Sequence, residues 1–501
     1  MTVVKSLAAL LEVLPEACVQ GDASRAISGL CYDSRRVEPG FLFAALPGQH
    51  TDGHHYVQDA VARGAVAVLV EQGKGDVGEA GATVVSVGHT RPALAALAHA
   101  FYDKPSHRLR LTGVTGTNGK TTTTYLVEAI MRAAGRKTGV IGTLAYRIGD
   151  SAFDAPFTTP EAPDLQALLA RMVEAGVEDA AMEVSSHALS LHRADYCAFD
   201  CAIFTNLTRD HLDFHPTAEA YFEAKARLFK DSVFMPPAGV RVNIVNRDDE
   251  SSMRLVQQAQ GVTVTYGCTE KADVVARPTE TSAQGTTFEI QTPQGRRPVR
   301  LRLLGRFNVY NALAAISAGI AMGVDLAVAA EAVESVPVVR GRFEKVEAGQ
   351  EFAVLVDYSH TPDSLEKALS NARLMTEGRL LVVFGCGGDR DAGKRPIMGA
   401  AAARLADECF ITSDNPRSED PNAIIEQIAE GIPRSAKRRC RVEADRRQAI
   451  RMAMESARPG DTVLIAGKGH ETRQIFADRV EPFDDREVAA QILRDLHGGS
   501  Q

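Results

Sequence analysis

Short apolar runs separated by amphipathic stretches recur along the chain, and their spacing predicts alternating strands and helices. Before about Ser106, residues 56–63 read as a helix leading through a glycine turn into a strand over 65–70. That is a small α/β unit. A second series begins with a strand before a glycine-rich loop, continues with a helical run over 125–134, and adds apolar runs at 180–184, 201–204 and 242–245. Near-continuous apolar strands alternating with helices favour a parallel sheet. The polar stretch 279–300, with Gly285 and Gly295, predicts hairpins peripheral to this unit. Periodicity breaks at 336–339, and a third series follows with strands at 353–356, 380–384, 408–412 and 461–466. The expected fold is α/β in three domains. These are a small N-terminal α/β domain (1–106), a central P-loop-containing, mostly parallel sheet domain (107–337), and a C-terminal Rossmann-like domain (338–501).

Length agrees, because 501 residues exceed one core and suggest about three domains at roughly 150 residues each. Hydrophobic residues at 45% and charged residues at 24% are those of a globular chain. A net charge of -8 without dense basic stripes excludes a large nucleic-acid footprint. The eight cysteines are irregularly spaced with no C-x-x-C, and Cys197 and Cys201 lie in a run too apolar for a metal knuckle, which suits a reducing cytoplasm. No basic segment leads an apolar core at the start, and no apolar run reaches about eighteen residues, so a cytoplasmic protein without membrane partners is expected.

The chemistry is most legible in Leu111-Thr112-Gly113-Val114-Thr115-Gly116-Thr117-Asn118-Gly119-Lys120-Thr121-Thr122. A strand exit, a glycine turn and a lysine at a helix start form a triphosphate cradle. Backbone N–H groups close on phosphate, Lys120 reaches the β/γ oxygens, and the Thr121 hydroxyl can ligate Mg2+. Val114 stands where the common P-loop has its first glycine, so the loop is a variant. Beyond it, Glu183 ends a strand in M-E-V-S-S-H and can serve Mg2+, which takes few protein carboxylates. His211 follows another strand in T-N-L-T-R-D-H-L-D. Lys225 on the helix 218–230, read alone, is an ordinary solvated lysine. Asn308 and Asn311 sit one turn apart on a helix face, where amides can read an adenine edge or Asn308 can cap the helix.

The form T-G-T-N-G-K-T-T resembles the loop of the Mur ligases, the ATP-dependent amide-forming enzymes of peptidoglycan synthesis, and matched motifs extend over nearly the whole chain. The resemblance implies ATP binding by Gly113, Thr115, Gly116, Thr117, Asn118, Gly119, Lys120, Thr121, Thr122, Asn308, Asn311, Arg342 in R-G-R-F-E and Asp357 in D-Y-S-H-T-P-D-S-L. It implies two Mg2+ ions at Thr121, Glu183, His211 and Lys225, the lysine (in A-K-A-R-L-F) carrying a CO2-derived carbamate (N6-carboxylysine). Catalytic roles fall to Lys120, Glu183, His211 and Lys225. Tyr32, Ser34, His50, Thr51 and Asp52 look like a uridine-nucleotide site. Thr158, Thr159, Ser185 and Arg193 align with positions holding the muramoyl-dipeptide end, with Phe157 and Leu191 where some relatives carry polar amides.

The segment Asp414-Asn415-Pro416-Arg417 resembles the family's diaminopimelate motif, completed by Arg390, Gly467 and Glu471; its residues alone would also suit an Asx-turn capping the next helix. A guanidinium fork binds the distal carboxylate that lysine lacks. The implied activity is ATP-dependent addition of meso-diaminopimelate to UDP-N-acetylmuramoyl-L-alanyl-D-glutamate through an acyl phosphate, by a monomer with small-molecule partners. The nearest rival adds L-lysine. A folylpolyglutamate synthetase tends to carry G-K-G-S, which Gly119-Lys120-Thr121-Thr122 lacks, and a GTP-binding switch would need an N-K-x-D after a strand, which is missing.

Overall fold

The computed structural model describes residues 3–48, 51–74, 81–237, 239–282 and 285–498. Three sheets organise them in chain order. The first, of five strands, runs Cys18–Gln20, Thr83–Val87, Ala67–Glu71, Phe41–Ala44, Gly29–Cys31, parallel except at Cys18–Gln20.

The central sheet has eleven strands. Its parallel part runs from Thr138–Ile141 through Asp179–Glu183, Arg110–Thr115, Cys201–Phe204, Val242–Asn246 and Val262–Gly267 to Val274–Ser282. Antiparallel hairpins finish both edges. The hairpin region expected to be peripheral is therefore continuous with the sheet: Gly285–Thr292 alternates inward Phe288 and Ile290 with outward polar residues, and the inward pair joins the main core. The strand before the phosphate loop, Arg110–Thr115, lies between Asp179–Glu183 and Cys201–Phe204, so three loops leave the same sheet edge side by side.

Helix Lys120–Ala133 is buttressed by Phe307–Ala321, which is apolar nearly all round and buried along most of its length. Small residues permit close approach; a Cβ on Gly319 would come within 2.8 Å of Ile130 Cγ2.

The third sheet has six strands in the order Glu344–Lys345, Ala353–Asp357, Thr462–Ala466, Leu380–Phe384, Glu408–Ile411, Cys440–Val442, parallel except at its first edge. Four of these strands end at Asp357, Ala466, Phe384 and Ile411, which places the segments holding Tyr358, Gly467, Arg390 and Asp414 at one rim. That rim is tied down from below. Arg446, opening the helix Arg446–Ser456, donates to Ala466 O at 3.0 Å and pairs with Asp485 at 2.7 Å, both side chains wholly buried.

Asp485→Ala leaves that guanidinium buried and unpaired, so it is expected to cost about 3–5 kcal/mol. Urea unfolding of the full chain measures this, and a change under about 1 kcal/mol would contradict the role given to the pair.

Candidate functional site

The phosphate loop is held in shape by the neighbouring strand exit before any ligand arrives. Asn206 O accepts from Thr117 N at 2.8 Å, Asn206 Oδ1 accepts from Asn118 N at 2.9 Å, and Thr205 Oγ1 donates to Asn118 O at 2.6 Å. Gly116 and Gly119 have φ of +145° and +88°. Neither place has room for a side chain, since a Cβ would lie 1.9 Å from Thr205 Oγ1 at Gly116 and 2.4 Å from Asn311 Oδ1 at Gly119. The helix then starts at Lys120 without a capping side chain, leaving its first-turn N–H groups, Thr121 and Thr122 included, directed to the loop.

Four of the expected ATP-binding residues are engaged within the protein itself. Gly113 and Thr115 lie inside the strand rather than in the cradle: a Cβ on Gly113 would meet the Phe199 ring at 2.7 Å, and Thr115 is fully buried. Asn308 and Asn311 do not present free amides. Asn311 Nδ2 donates to Asn308 Oδ1 at 2.8 Å, Asn308 Nδ2 donates to Leu304 O at 2.7 Å, and Asn311 backs Gly119. Their work in this arrangement is to brace the loop from behind.

Two lysines converge on one carbonyl. Lys120 Nζ and Lys225 Nζ donate to Gly116 O at 3.0 and 2.9 Å. Lys225 is 1% exposed, not the solvated lysine that its position on the helix Ala218–Lys230 suggests in isolation, and its ammonium sits 4.4 Å from the Tyr221 ring centroid. Burial, then the nearby Lys120 charge, holds its pKa well below the ordinary lysine value; burial also lowers that of Lys120. Glu183 is equally buried at its strand end, accepting from Thr121 Oγ1 at 3.0 Å and Thr143 N at 2.8 Å. His211 adopts left-handed backbone at φ +55° and packs against His187 at 4.6 Å between ring centroids. Burial holds its imidazole pKa well below the ordinary histidine value, leaving it neutral at physiological pH and able to ligate. Glu183 and Thr121 supply oxygen donors of the kind Mg2+ accepts alongside phosphate and water, and neutral His211 adds an imidazole lone pair, whereas an ammonium at Lys225 offers no donor.

The third sheet reaches this cluster. Arg342 Nη2 donates to Thr121 Oγ1 at 3.0 Å, Asn118 Nδ2 donates to Asp363 Oδ2 at 2.9 Å, and Arg209 pairs with Asp391 at 3.8 Å. Asp357 has both oxygens engaged, by Ser359 Oγ and by Phe343 N at 2.8 Å, so it orders the turn after its strand instead of offering a free carboxylate.

At the adjoining rim, Asp414 Oδ2 is buried without a hydrogen-bond partner among the described residues, 2.4 Å from where a Gly467 Cβ would stand. The helix that follows is capped by Asp420, through Asn422 N at 2.9 Å, so Asp414 is not its cap. Asn415 Nδ2 donates to Glu471 Oε2 at 2.7 Å, and burial followed by Asp414 raises the Glu471 pKa. After Pro416, Arg417 takes φ +53° and donates to Gly388 O at 2.6 Å, beside Arg390. Asp414 and Glu471 thus neighbour one another, and Arg417 and Arg390 both approach Gly387. Lys468, missed from sequence, is wholly buried between Asn415 Oδ1 and Glu471; its place inside G-K-G-H-E was the available signal.

Near the first sheet, Thr159 Oγ1 donates to Glu183 O at 2.8 Å and Thr158 bonds Thr143 at 3.0 Å. Ser185 caps the helix Ser186–Ser190 through Ala188 N at 3.1 Å, while Leu191 closes it. Arg193 pairs with Glu161 at 2.9 Å, which also meets Arg91 at 3.3 Å, and its guanidinium lies over the Phe157 ring at 5.5 Å. Phe157 thus offers a ring platform to Arg193. Tyr32 donates to Asp164 at 2.5 Å; Ser34 is buried in its turn; Thr51 bonds Tyr56 at 3.1 Å; Asp52 caps the next turn through His54. His50 lies outside the described residues.

Family models match three segments: "Mur ligase family, catalytic domain" over 26–102, "Mur ligase middle domain" over 114–319, and "Mur ligase, glutamate ligase domain" over 341–469. Two similar proteins are named UDP-N-acetylmuramoyl-L-alanyl-D-glutamate--2,6-diaminopimelate ligase. One, from Caldanaerobacter subterraneus subsp. tengcongensis, is 45% identical across 95% of this chain and 96% of its own length. The other, from Geobacillus kaustophilus, is 47% identical across 98% and 99%. A solved structure of a ligase with that same name superposes at a TM-score of 0.68 with 34% identity, covering 99% of this chain and all of the other. The MurF ligase of Thermotoga maritima in complex with ADP shares the fold, at a TM-score of 0.64 and 19% identity over 94% and 98%.

Gly116→Ala should abolish nucleotide binding while leaving the chain folded, because the substitution strains the loop and collides with Thr205. Calorimetry with ADP reads this, and retained binding within tenfold of the unsubstituted protein would refute the cradle.

Proposed function

The chain belongs to the Mur ligase family, and we propose that it joins meso-diaminopimelate to UDP-N-acetylmuramoyl-L-alanyl-D-glutamate with conversion of ATP to ADP and phosphate. The observation that carries this reading is the meeting of two sites across one cleft. Arg342 reaches the phosphate-loop Thr121, and Arg209, two residues before His211, pairs with Asp391 next to Arg390. A phosphorylated acid and an incoming amine made in such a cleft are kept together and away from water.

In this reading the first sheet region (1–106) holds the uridine nucleotide, the central region (107–337) ATP, and the third (338–501) the amino acid. Lys120 and the first-turn N–H groups bind the triphosphate. The D-glutamyl carboxylate oxygen attacks the γ-phosphorus and ADP leaves; the amine nitrogen then attacks the acyl carbon and phosphate leaves. Thr121, Glu183 and His211 would hold two Mg2+ ions, which neutralise charge on the transferring phosphoryl group.

Lys225 would complete that set after its neutral amine adds to CO2, giving a carbamate and a proton. The amine's depressed pKa supports this, since the free base is the nucleophile. Near Arg193 the dipeptide end of the nucleotide would find its cationic partner. Asp414 and Glu471 suit the ammonium end of a diamino acid and Arg417 with Arg390 its distal carboxylate. Folylpolyglutamate synthetases share this fold, and L-lysine is the competing amine.

Purified protein offered ATP, Mg2+, the dipeptide nucleotide and each diamine in turn is expected to give the tripeptide mass with meso-diaminopimelate alone; product from L-lysine alone would assign it to the lysine-adding branch. Arg417→Ala is expected to raise KM for diaminopimelate about a hundredfold, from loss of a charge-assisted fork, with KM for ATP unchanged. Lys225→Ala should be inactive and regain part of its rate with added short carboxylic acids. No rescue by any acid counts against the carbamate.

A further inference from the structure

We propose that Tyr358 is the positioning residue that aims Arg342 at the phosphoryl group, an inference that rests on the ligase reading above. Tyr358 directly follows the strand Ala353–Asp357, and the Arg342 guanidinium carbon lies 4.6 Å from its ring centroid. The ring is itself gripped, by His360 edge-on at 4.6 Å and by His470 at 4.9 Å. His360 Nδ1 also bonds Tyr358 O at 2.8 Å. Gly469 permits the seating, since a Cβ there would come within 2.7 Å of Tyr358 Cβ.

Arg342 is held by a hydroxyl and a ring, with its buried Nε lacking a hydrogen-bond partner among the described residues. This differs from Arg446, which a buried aspartate neutralises. A carboxylate in contact would cancel much of the charge that phosphoryl transfer needs, whereas a π face, with Asp357 acting only from beyond ion-pair distance, orients the guanidinium and leaves most of that charge available. Burial keeps His470 near 3 and His360 below its ordinary value, so neither adds a rival cation at neutral pH. The ring also adjoins the amine pocket. Its phenol, raised in pKa chiefly by burial, feels Glu471 and Asp414 as well as Arg342.

The test compares Tyr358→Leu, Tyr358→Met and Tyr358→Phe with the unsubstituted enzyme in steady-state ADP release, each variant checked by thermal melting. Leu and Met are expected to lower kcat about 3- to 30-fold, the span of one partly desolvated cation–π contact, with KM for diaminopimelate within about twofold. Phe, which keeps the ring, should restore kcat. In an Arg342→Ala background the Leu and Met changes should cost nothing more. Normal kcat in Leu or Met, failure of Phe to rescue, or full additivity with Arg342→Ala overturns the proposal; Met retains volume if Leu loosens the strand end. Absence of diamine-dependent ADP release from the unsubstituted enzyme would instead overturn the ligase reading.

Discussion

Two lysine amines drawn to one carbonyl, that of Gly116, set the terms for the rest of this site. Charging both of them side by side out of water is costly unless anions answer them, and burial with the Lys120 charge favours the neutral amine at Lys225. The surroundings answer in part, through Glu183 and Asp210, which favour the charged form of Lys120. What remains is an electropositive recess at a helix start, built before ligand binding and matched to a polyphosphate. The loop can tolerate this because Thr205 and Asn206 clamp it and Asn311 fills the space behind Gly119.

The same logic of fixed, desolvated groups runs through the third sheet. Of the eight non-glycine residues with positive φ among the described residues, four, His211, Phe343, Asp389 and Arg417, are proposed site residues or their immediate neighbours. Such conformations cost of order 1–3 kcal/mol each and persist where the surroundings over-determine them. Here the surroundings are hydrogen bonds to strand ends and a neighbouring turn: Phe343 N to Asp357, Arg417 N to Ile475 O, Ser418 Oγ to Asp389. Arg446 extends the scaffold beneath them by joining the strand end at Ala466 to Asp485. Rigidity under the rim and contacts across it, at Arg342, Asn118 and Arg209, together make one cleft from two sheets.

The strands at 201–204 and 380–384 were legible to the residue, because buried parallel strands are short apolar runs with little else to confuse them. Helix Ala218–Lys230 was also legible. Edges were harder: the hairpins expected over 279–300 looked peripheral because half their residues face water, yet their inward half completes the main core. Among site residues, Lys120 and Glu183 could be picked out by type and spacing, whereas Arg417 was picked out only through the resemblance of its segment to a family motif. Gly113 could not be separated from the cradle glycines, since only its contact with Phe199 shows that packing requires it.

Sequence by itself determined the periodicities, the glycines of the loop and the charged residues at strand ends, because backbone preference and side-chain chemistry are local. Tertiary structure alone decided which of those groups are buried, which amides satisfy each other, and which arginine meets which threonine. Lys225 makes the point: its sequence neighbours describe a surface helix, but desolvation and the approach of Lys120 come from residues about a hundred positions away. Burial and electrostatic field are properties of the assembled packing, and no run of letters carries them.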